Sequence, residues 1–325
     1  MKVGIQKKIN FVLILLGLSF PLLSASPGNA QSCSEAEIQA NIEEFEEVNR
    51  LYDPPYGNVI RCGKNAVKPL IVTVLDQNSS SKVRRIAAFA LTTIKDSSPE
   101  TIDALIQVVQ DRQEDADVRR GVAFTLGQIG ENSSEVIKAL IGEVEDKQNN
   151  VGVRSMAAFA LREMGQGSPE DIETLVKILE NKQENSEVRV YVTGALRAIA
   201  KNSPETVAVF IDVLEDQQDD VEIRSHAATA LTEMGHNSSE VVNVLVNVVE
   251  DKGGDLELRS YVATLLEAIS FNLIVEEDRM PREKLKQLIQ ALQPVLEIQD
   301  EELLLPTQLK DNLYTLQSRV EKKKI

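Results

Sequence analysis

The sequence predicts an all-α fold, an α-solenoid of stacked helix pairs, and three observations carry that prediction. Arginine recurs at Arg84, Arg119, Arg154, Arg189, Arg224 and Arg259, an unbroken spacing of 35 residues. A leucine follows each of them seven residues later, at Leu91, Leu126, Leu161, Leu196, Leu231 and Leu266. Aromatic residues make up only 4% of the chain and Trp is absent, which suits thin layers of Ala, Val, Leu and Ile between helices better than one thick core. A fixed period of about 20 to 50 residues marks units that cannot bury their apolar faces alone and must stack.

The chain begins with a segment that reads as a secretory signal peptide over residues 1–30. Lys2, Lys7 and Lys8 precede an apolar run from Phe11 to Leu23, and a small-residue stretch ends at Ala30. The run is shorter than the roughly 20 residues that span a bilayer, so cleavage after Ala30 is expected, with an uncleaved anchor as the competing reading. Without that segment the chain has no transmembrane segment and is an exported protein, periplasmic or secreted. The formal net charge is −16 and becomes three units more negative once the leader's lysines are gone. A broad negative field opposes nucleic acid and anionic lipid and favours neutral or basic partners.

Residues 31–65 read as an N-terminal capping helix and loop. Ile38, Ile42, Phe45 and Val48 keep helical spacing from about Ser34 to Leu51, and Asp53-Pro54-Pro55-Tyr56-Gly57 is expected to end that helix. The two cysteines, Cys33 and Cys62, flank this segment, and outside the reducing cytosol such a pair forms a disulfide bond. The chain between them is long enough to fold back.

Residues 66–270 hold six repeats of two helices each. Ser98, Ser133, Ser168, Ser203 and Ser238 stand at the start of the first helix, followed by Pro or Ser and then by Glu. Serine accepts orphan N–H bonds, proline suits the first helical position, and glutamate faces the positive end of the helix dipole. Leu105, Leu140, Leu175, Phe210 and Leu245 belong to its buried stripe. Ser80, Asp115, Asn150, Asn185, Asp220 and Asp255 are placed to cap the second helix. That helix is expected to stop at Gly130, Gly165 or Gly235 with a left-handed residue. Phe271 to Arg279 reads as a longer connection, and residues 271–325 form a C-terminal capping repeat and tail. Its helices are expected at about Arg282 to Leu296 and Thr307 to Val320, giving about seven repeats with helical caps.

The second-helix signature, Val118-Arg119-Arg120 with Ala123 and Leu126-Gly127-Gln128-Ile129-Gly130, resembles that of HEAT repeats. It is similar to the bacterial group that includes the HEAT-like repeats of phycobilin lyases. The resemblance covers roughly Ala66 to Ser270 and implies a solenoid of HEAT-like helix pairs. The family often has an acid six residues before the repeated arginine, where this chain has Gln113, Gln148, Gln183 and Gln218.

No catalytic constellation is present in the sequence, and it is not read as an enzyme. The only histidines, His226 and His236, are followed by Ala227 and Asn237, so the paired His-Glu motifs of iron-dependent HEAT-repeat hydroxylases are missing. Helix caps account for loop acids such as Glu114, Asp115, Asp219 and Asp220, no metal site is expected, and no cofactor is called for. Asn78, Asn132 and Asn237 fit the Asn-x-Ser pattern but fall in turns that want Asn and Ser anyway.

The six arginines read as a structural ladder tying neighbouring turns. A second stripe is the candidate partner-binding surface. It carries Phe89, Phe124 and Phe159, then Gly194, Thr229 and Thr264, and one turn earlier Met156, Tyr191, His226 and Tyr261. Lining a groove for a partner and packing between adjacent second helices are the two roles open to it. The functional reading is an exported scaffold for protein–protein interaction that binds a macromolecular partner, protein or peptide and basic by charge, in the solenoid groove. The alternative, implied by the repeat resemblance alone, is a lyase-like enzyme or chaperone attaching a bilin chromophore to a protein, and a third reading is a structural spacer in the envelope.

Overall fold

Each 35-residue unit becomes two helices because the sequence supplies a start, an apolar stripe and a stop twice per period. The computed structural model describes residues 33–50, 53–131, 133–201, 203–235, 238–276, 279–300, 302–303 and 305–322, so the leader expected over 1–30 lies outside the described residues. Among the described residues there are sixteen α-helices and no strand. The fold is an all-α array of stacked helix pairs, grouped in two compact units, residues 1–164 and 165–325.

The first unit opens with α1 (Glu35–Glu43) and α2 (Pro54–Arg61). Three pairs follow: α3 (Val67–Leu75) with α4 (Ser81–Ile94), α5 (Pro99–Gln110) with α6 (Ala116–Ile129), and α7 (Ser134–Glu145) with α8 (Val151–Met164). The second unit holds α9 (Pro169–Glu180) with α10 (Ser186–Ile199), α11 (Pro204–Glu215) with α12 (Val221–Gly235), and α13 (Ser239–Glu250) with α14 (Leu256–Glu276). It ends with α15 (Arg282–Leu292) and α16 (Thr307–Lys322).

The punctuation works through side-chain caps. Ser133, Ser168 and Ser203 accept from the N–H three residues on, at 3.2, 3.2 and 3.3 Å. Ser98 stands at the same cap position and instead donates its hydroxyl to Asp96, 2.6 Å away. Before the second helices, Asp115 and Asn185 each accept two N–H bonds. The six repeated leucines and the first-helix residues Leu105, Leu140, Leu175, Phe210 and Leu245 are completely buried.

Three local expectations are corrected. The double proline at 54–55 begins a helix instead of ending one: α1 stops at Glu43, a short 3-10 turn covers Glu44–Glu47, and α2 starts at Pro54. A proline in the first turn removes only an N–H that has no helical partner, and the Asp53 carboxylate turns back to accept from the N–H of Asn49 and Arg50 at 2.8 and 2.9 Å. The Cys33–Cys62 disulfide then joins the chain just before α1 to the residue that ends α2. Tyr56 of α2 donates its hydroxyl to the Phe89 carbonyl at 3.2 Å, fastening this N-terminal pair to α4.

The second correction is at 271–279, where α14 runs on to Glu276 without a break. No Gly or Pro interrupts it, Ile269 and Leu273 continue its buried stripe, and Asn312 of α16 donates to Ser270 at 3.0 Å. This helix is long and apolar enough to cross a membrane by length and composition, yet Leu258, Val262, Leu266 and Ile269 are all core residues. The third concerns the stop glycines. Gly165 is left-handed at φ +63°, but Gly130 has φ −85° and Gly235 is the last residue of α12. Both serve close packing: a Cβ on Gly130 would lie 2.9 Å from both Val136 methyls, and one on Gly235 would lie 2.6 Å from Val241. Lys95 supplies the left-handed residue after α4.

Candidate partner-binding face and the arginine ladder

The repeated arginines sit on the second helices and are nearly sealed from solvent, each 3 to 6% exposed. In every repeat the Nε–H donates to the carbonyl ten residues earlier, at the end of the first helix: Arg84 to Val74, Arg119 to Val109, Arg154 to Val144, Arg189 to Leu179, Arg224 to Leu214 and Arg259 to Val249. A helix's last carbonyls have no partner within the helix, so this bond joins the two helices of a pair. The terminal amines of Arg84, Arg119 and Arg189 reach the turn of the following repeat. Arg84 grips Glu114 with both amines, and Arg189 grips Asp219 at 2.6 and 2.7 Å. Arg119 reaches Asn149 at 2.9 Å and takes its charge partner from Glu143 at 2.5 Å, while Arg259 takes Asp300 at 2.7 Å. Burial works to raise the Asp219 carboxyl, but the Arg189 guanidinium and the Asp220 N–H outweigh it, so Asp219 titrates below its ordinary value.

The aromatic half of the stripe is packing. Phe89, Phe124 and Phe159, expected as partner anchors, are 2, 3 and 5% exposed, so they have no face to offer a partner. Phe89 meets Phe124 edge-on at 5.8 Å, Phe124 stacks with Phe159 at 6.3 Å, and the Arg162 guanidinium covers Phe159 at 4.4 Å. The helices close over these rings because Gly127 lets α6 approach α8: a Cβ there would stand 2.6 Å from that of Ala160. On the same face of this unit Asp117 is neutralised by Arg120 at 3.1 Å and Arg85 at 3.9 Å.

The second unit carries the same columns with different occupants, and its face is open. Where the rings stood there are Gly194, Thr229 and Thr264, and where Arg85 and Arg120 stood there are Val190, Ser225 and Ser260. A cleft of about 580 Å³ lies between α12 and α14, lined by residues that include Glu222, Ser225, His226, Thr229, Glu257 and Tyr261. Tyr261 is 38% exposed, and its hydroxyl sits 2.7 Å from that of Thr229. His226 is exposed as well, whereas Met156 and Tyr191 are half-buried. Glu187, Glu222 and Glu257 occupy one column at the first turns of α10, α12 and α14, and among the described residues no Lys or Arg pairs with them within 4 Å. Desolvation, with Arg197 nearby, holds the His226 imidazole below its ordinary pKa against the pull of Glu222, so it is neutral at pH 7 and leaves the two carboxylates uncompensated. The cleft therefore offers two carboxylates, a phenol and a neutral imidazole, a set chemically complementary to a cation with an apolar stem.

Sequence reading missed the Glu187, Glu222 and Glu257 column. The signal was available: aligned at the 35-residue period, the column reads Lys82, Asp117 and Gly152, then Glu187, Glu222 and Glu257, with Val or Ser in place of Arg three residues on. Among the described residues no group of three His, Cys, Asp or Glu side chains is placed to hold a metal ion.

Residues 68–162 match the family model for HEAT repeats, and residues 133–267 match that for the vitellogenin TPR domain. No curated protein matches the chain. Among solved structures, the chain is similar to the complex of CpcE and CpcF of phycocyanin lyase from Nostoc sp. PCC7120, with 20% identity, 78% of this chain and 94% of that chain covered, and a TM-score of 0.44. It is similar to human deoxyhypusine hydroxylase at 16% identity, covering 89% and 97%, with a TM-score of 0.33. It is also similar to importin beta at 17% identity, covering 88% of this chain and 39% of that one, with a TM-score of 0.49. At these identities and scores none of the three indicates a function. Residues 68–162 thus belong to the HEAT-repeat family, and the same helix pairs, caps and arginines recur through the second unit.

Proposed function

We propose that the protein is a binding scaffold that performs no chemistry and holds a basic, extended protein segment on the second-helix face of residues 165–325. The observation that carries the reading is the open cleft between α12 and α14, whose Glu222 and Glu257 lack cationic partners among the described residues while Tyr261 stands exposed beside them. A lysine or arginine side chain would lay its stem along Tyr261 and its head between the carboxylates. The strong negative charge of the chain raises the encounter rate for such a segment and makes it sensitive to salt. The protein works after export, which is consistent with the leader read at residues 1–30 and with a Cys33–Cys62 disulfide that an oxidising compartment would preserve.

The test is selection of random peptides on the protein. Lys- or Arg-rich sequences are expected, with binding lost in a Glu222→Gln, Glu257→Gln, Tyr261→Ala variant of unchanged melting temperature. Peptides that bind this variant as tightly as the wild type would overturn the reading. Export is checked separately by N-terminal sequencing of the extracytoplasmic protein, which should begin at Gln31.

A further inference from the structure

The ladder is built by one construction, and one repeat keeps the construction while omitting the side-chain acceptor. In the turn before α6, the Glu114 N–H donates to the Asp111 carbonyl at 3.1 Å, and the Glu114 carboxylate receives both terminal amines of Arg84 and the N–H of Asp115 at 2.8 Å. The turn before α12 repeats this: the Asp219 N–H reaches the Asp216 carbonyl at 2.9 Å, and its carboxylate receives both amines of Arg189 and the Asp220 N–H at 2.8 Å. In the turn before α8 the Asn149 side-chain oxygen holds the same place, taking Arg119 and the Asn150 N–H, each at 2.9 Å. Guanidinium amines and one backbone N–H thus converge on a single point in each of these three turns.

The turn before α14 has everything except the acceptor. The Gly254 N–H donates to the Asp251 carbonyl at 2.9 Å, Asp255 caps α14 by accepting from the Leu258 N–H at 2.9 Å, and Arg224 Nε holds the Leu214 carbonyl at 2.9 Å. The carboxylate position is Gly254. Arg224 is only 6% exposed, and among the described residues neither its terminal amines nor the Asp255 N–H has a hydrogen-bond partner. Asp216, the carboxylate that feels the Arg224 charge, is engaged by Lys182 and by the Gln218 N–H. Gly254 has no positive φ, and a Cβ would meet the Asp251 carbonyl and carboxylate oxygens at 3.2 Å, close contacts that Asp251 must relax by a few tenths of an ångström to accept.

We propose that the Arg224–Gly254 gap is a binding slot for a carboxylate from outside the chain. A planar guanidinium fork with a convergent N–H matches the two oxygens of a carboxylate, as the sister repeats demonstrate with their own side chains. Among the described residues no acceptor meets the Arg224 terminal amines, so an external carboxylate gains the paired hydrogen bonds that the internal one gains elsewhere in the ladder. The carboxylate comes either from a small organic acid or from an acidic side chain of a bound protein, and the two sources share this chemistry.

The slot is tested on the whole protein with acetate and with N-acetyl-aspartate N-methylamide as probes, against chloride at matched ionic strength. Acetate should shift the Asp255 amide resonance and raise the melting temperature by about 2 °C at about ten times its dissociation constant. Gly254→Glu fills the slot from within, so it should melt higher than wild type without acetate and lose both responses. A response to acetate alone assigns the slot to small carboxylates, and a response to the capped aspartate as well assigns it to protein side chains. No shift at Asp255 with either probe, or an equal response in Gly254→Glu, would overturn the proposal.

Discussion

The two units are copies of one 35-residue template, yet their second-helix faces have opposite characters. In residues 1–164 the face is shut: three phenylalanines pack ring to ring, Gly127 draws α6 onto Ala160 of α8, and arginines neutralise Asp117. In residues 165–325 the same columns hold Gly or Thr in place of the rings and Val or Ser in place of the arginines, and an acidic cleft opens between α12 and α14. The ladder and the leucine layers are shared by both units, so the scaffold is fixed by some columns while the exposed chemistry is set by a few others. Repeat proteins permit this division because each unit is stabilised chiefly by its immediate neighbours.

The largest expected difference between the faces is in stability. Phe124→Ala empties a buried site between two other rings and should cost about 3–5 kcal/mol, whereas Tyr261→Ala should cost less than about 1 kcal/mol because that side chain is already partly in water. Urea denaturation of the two variants decides it, and equal losses would break the comparison. Acid should next reveal the second unit's part of the ladder. Asp219 and Asp300 titrate below their ordinary values, so their contribution to stability is present above the unfolded carboxylate range near pH 4 and is lost as pH falls below it. Arg189→Ala should flatten the part of that acid slope owed to Asp219, as measured by melting temperature between about pH 5 and pH 2. The smallest effect is expected from His226. Its pKa is lowered, so affinity for a basic peptide should be constant above about pH 6.5 and fall about two- to fivefold below it as a positive imidazole appears between the carboxylates, a fall that His226→Gln should remove.

Much of this was legible in the sequence, since it followed from local chemistry repeated at a fixed distance. Serine and aspartate caps, buried leucines and one arginine per period have the same physical reason in every copy. The segment around Pro54 misled because a proline ends one helix and begins another with equal ease, and only packing against α4 decides which. The extension of α14 was missed because its apolar residues past Ser270 carry no repeat signature, although nothing in them stops a helix. The stripe was visible as a column, but whether a column faces solvent depends on how closely neighbouring helices approach. That distance is set by residues elsewhere, such as Gly127 and Ala160, which no single column reveals. Gly254 and the glutamates at 187, 222 and 257 were written in the aligned columns as a break and a persistence, and both acquire meaning only once the partner each lacks is located.

The account rests on the second unit's cleft being the place where a basic segment binds, and the most direct measurement is the dissociation constant of one selected Lys- or Arg-rich peptide, determined by calorimetry. The protein carrying Glu222→Gln and Glu257→Gln should bind it about tenfold more weakly at low salt while melting at the wild-type temperature, and Phe124→Leu in the first unit should leave affinity unchanged. Affinity that stays within twofold in the glutamine variant, or that falls with Phe124→Leu instead, would contradict it.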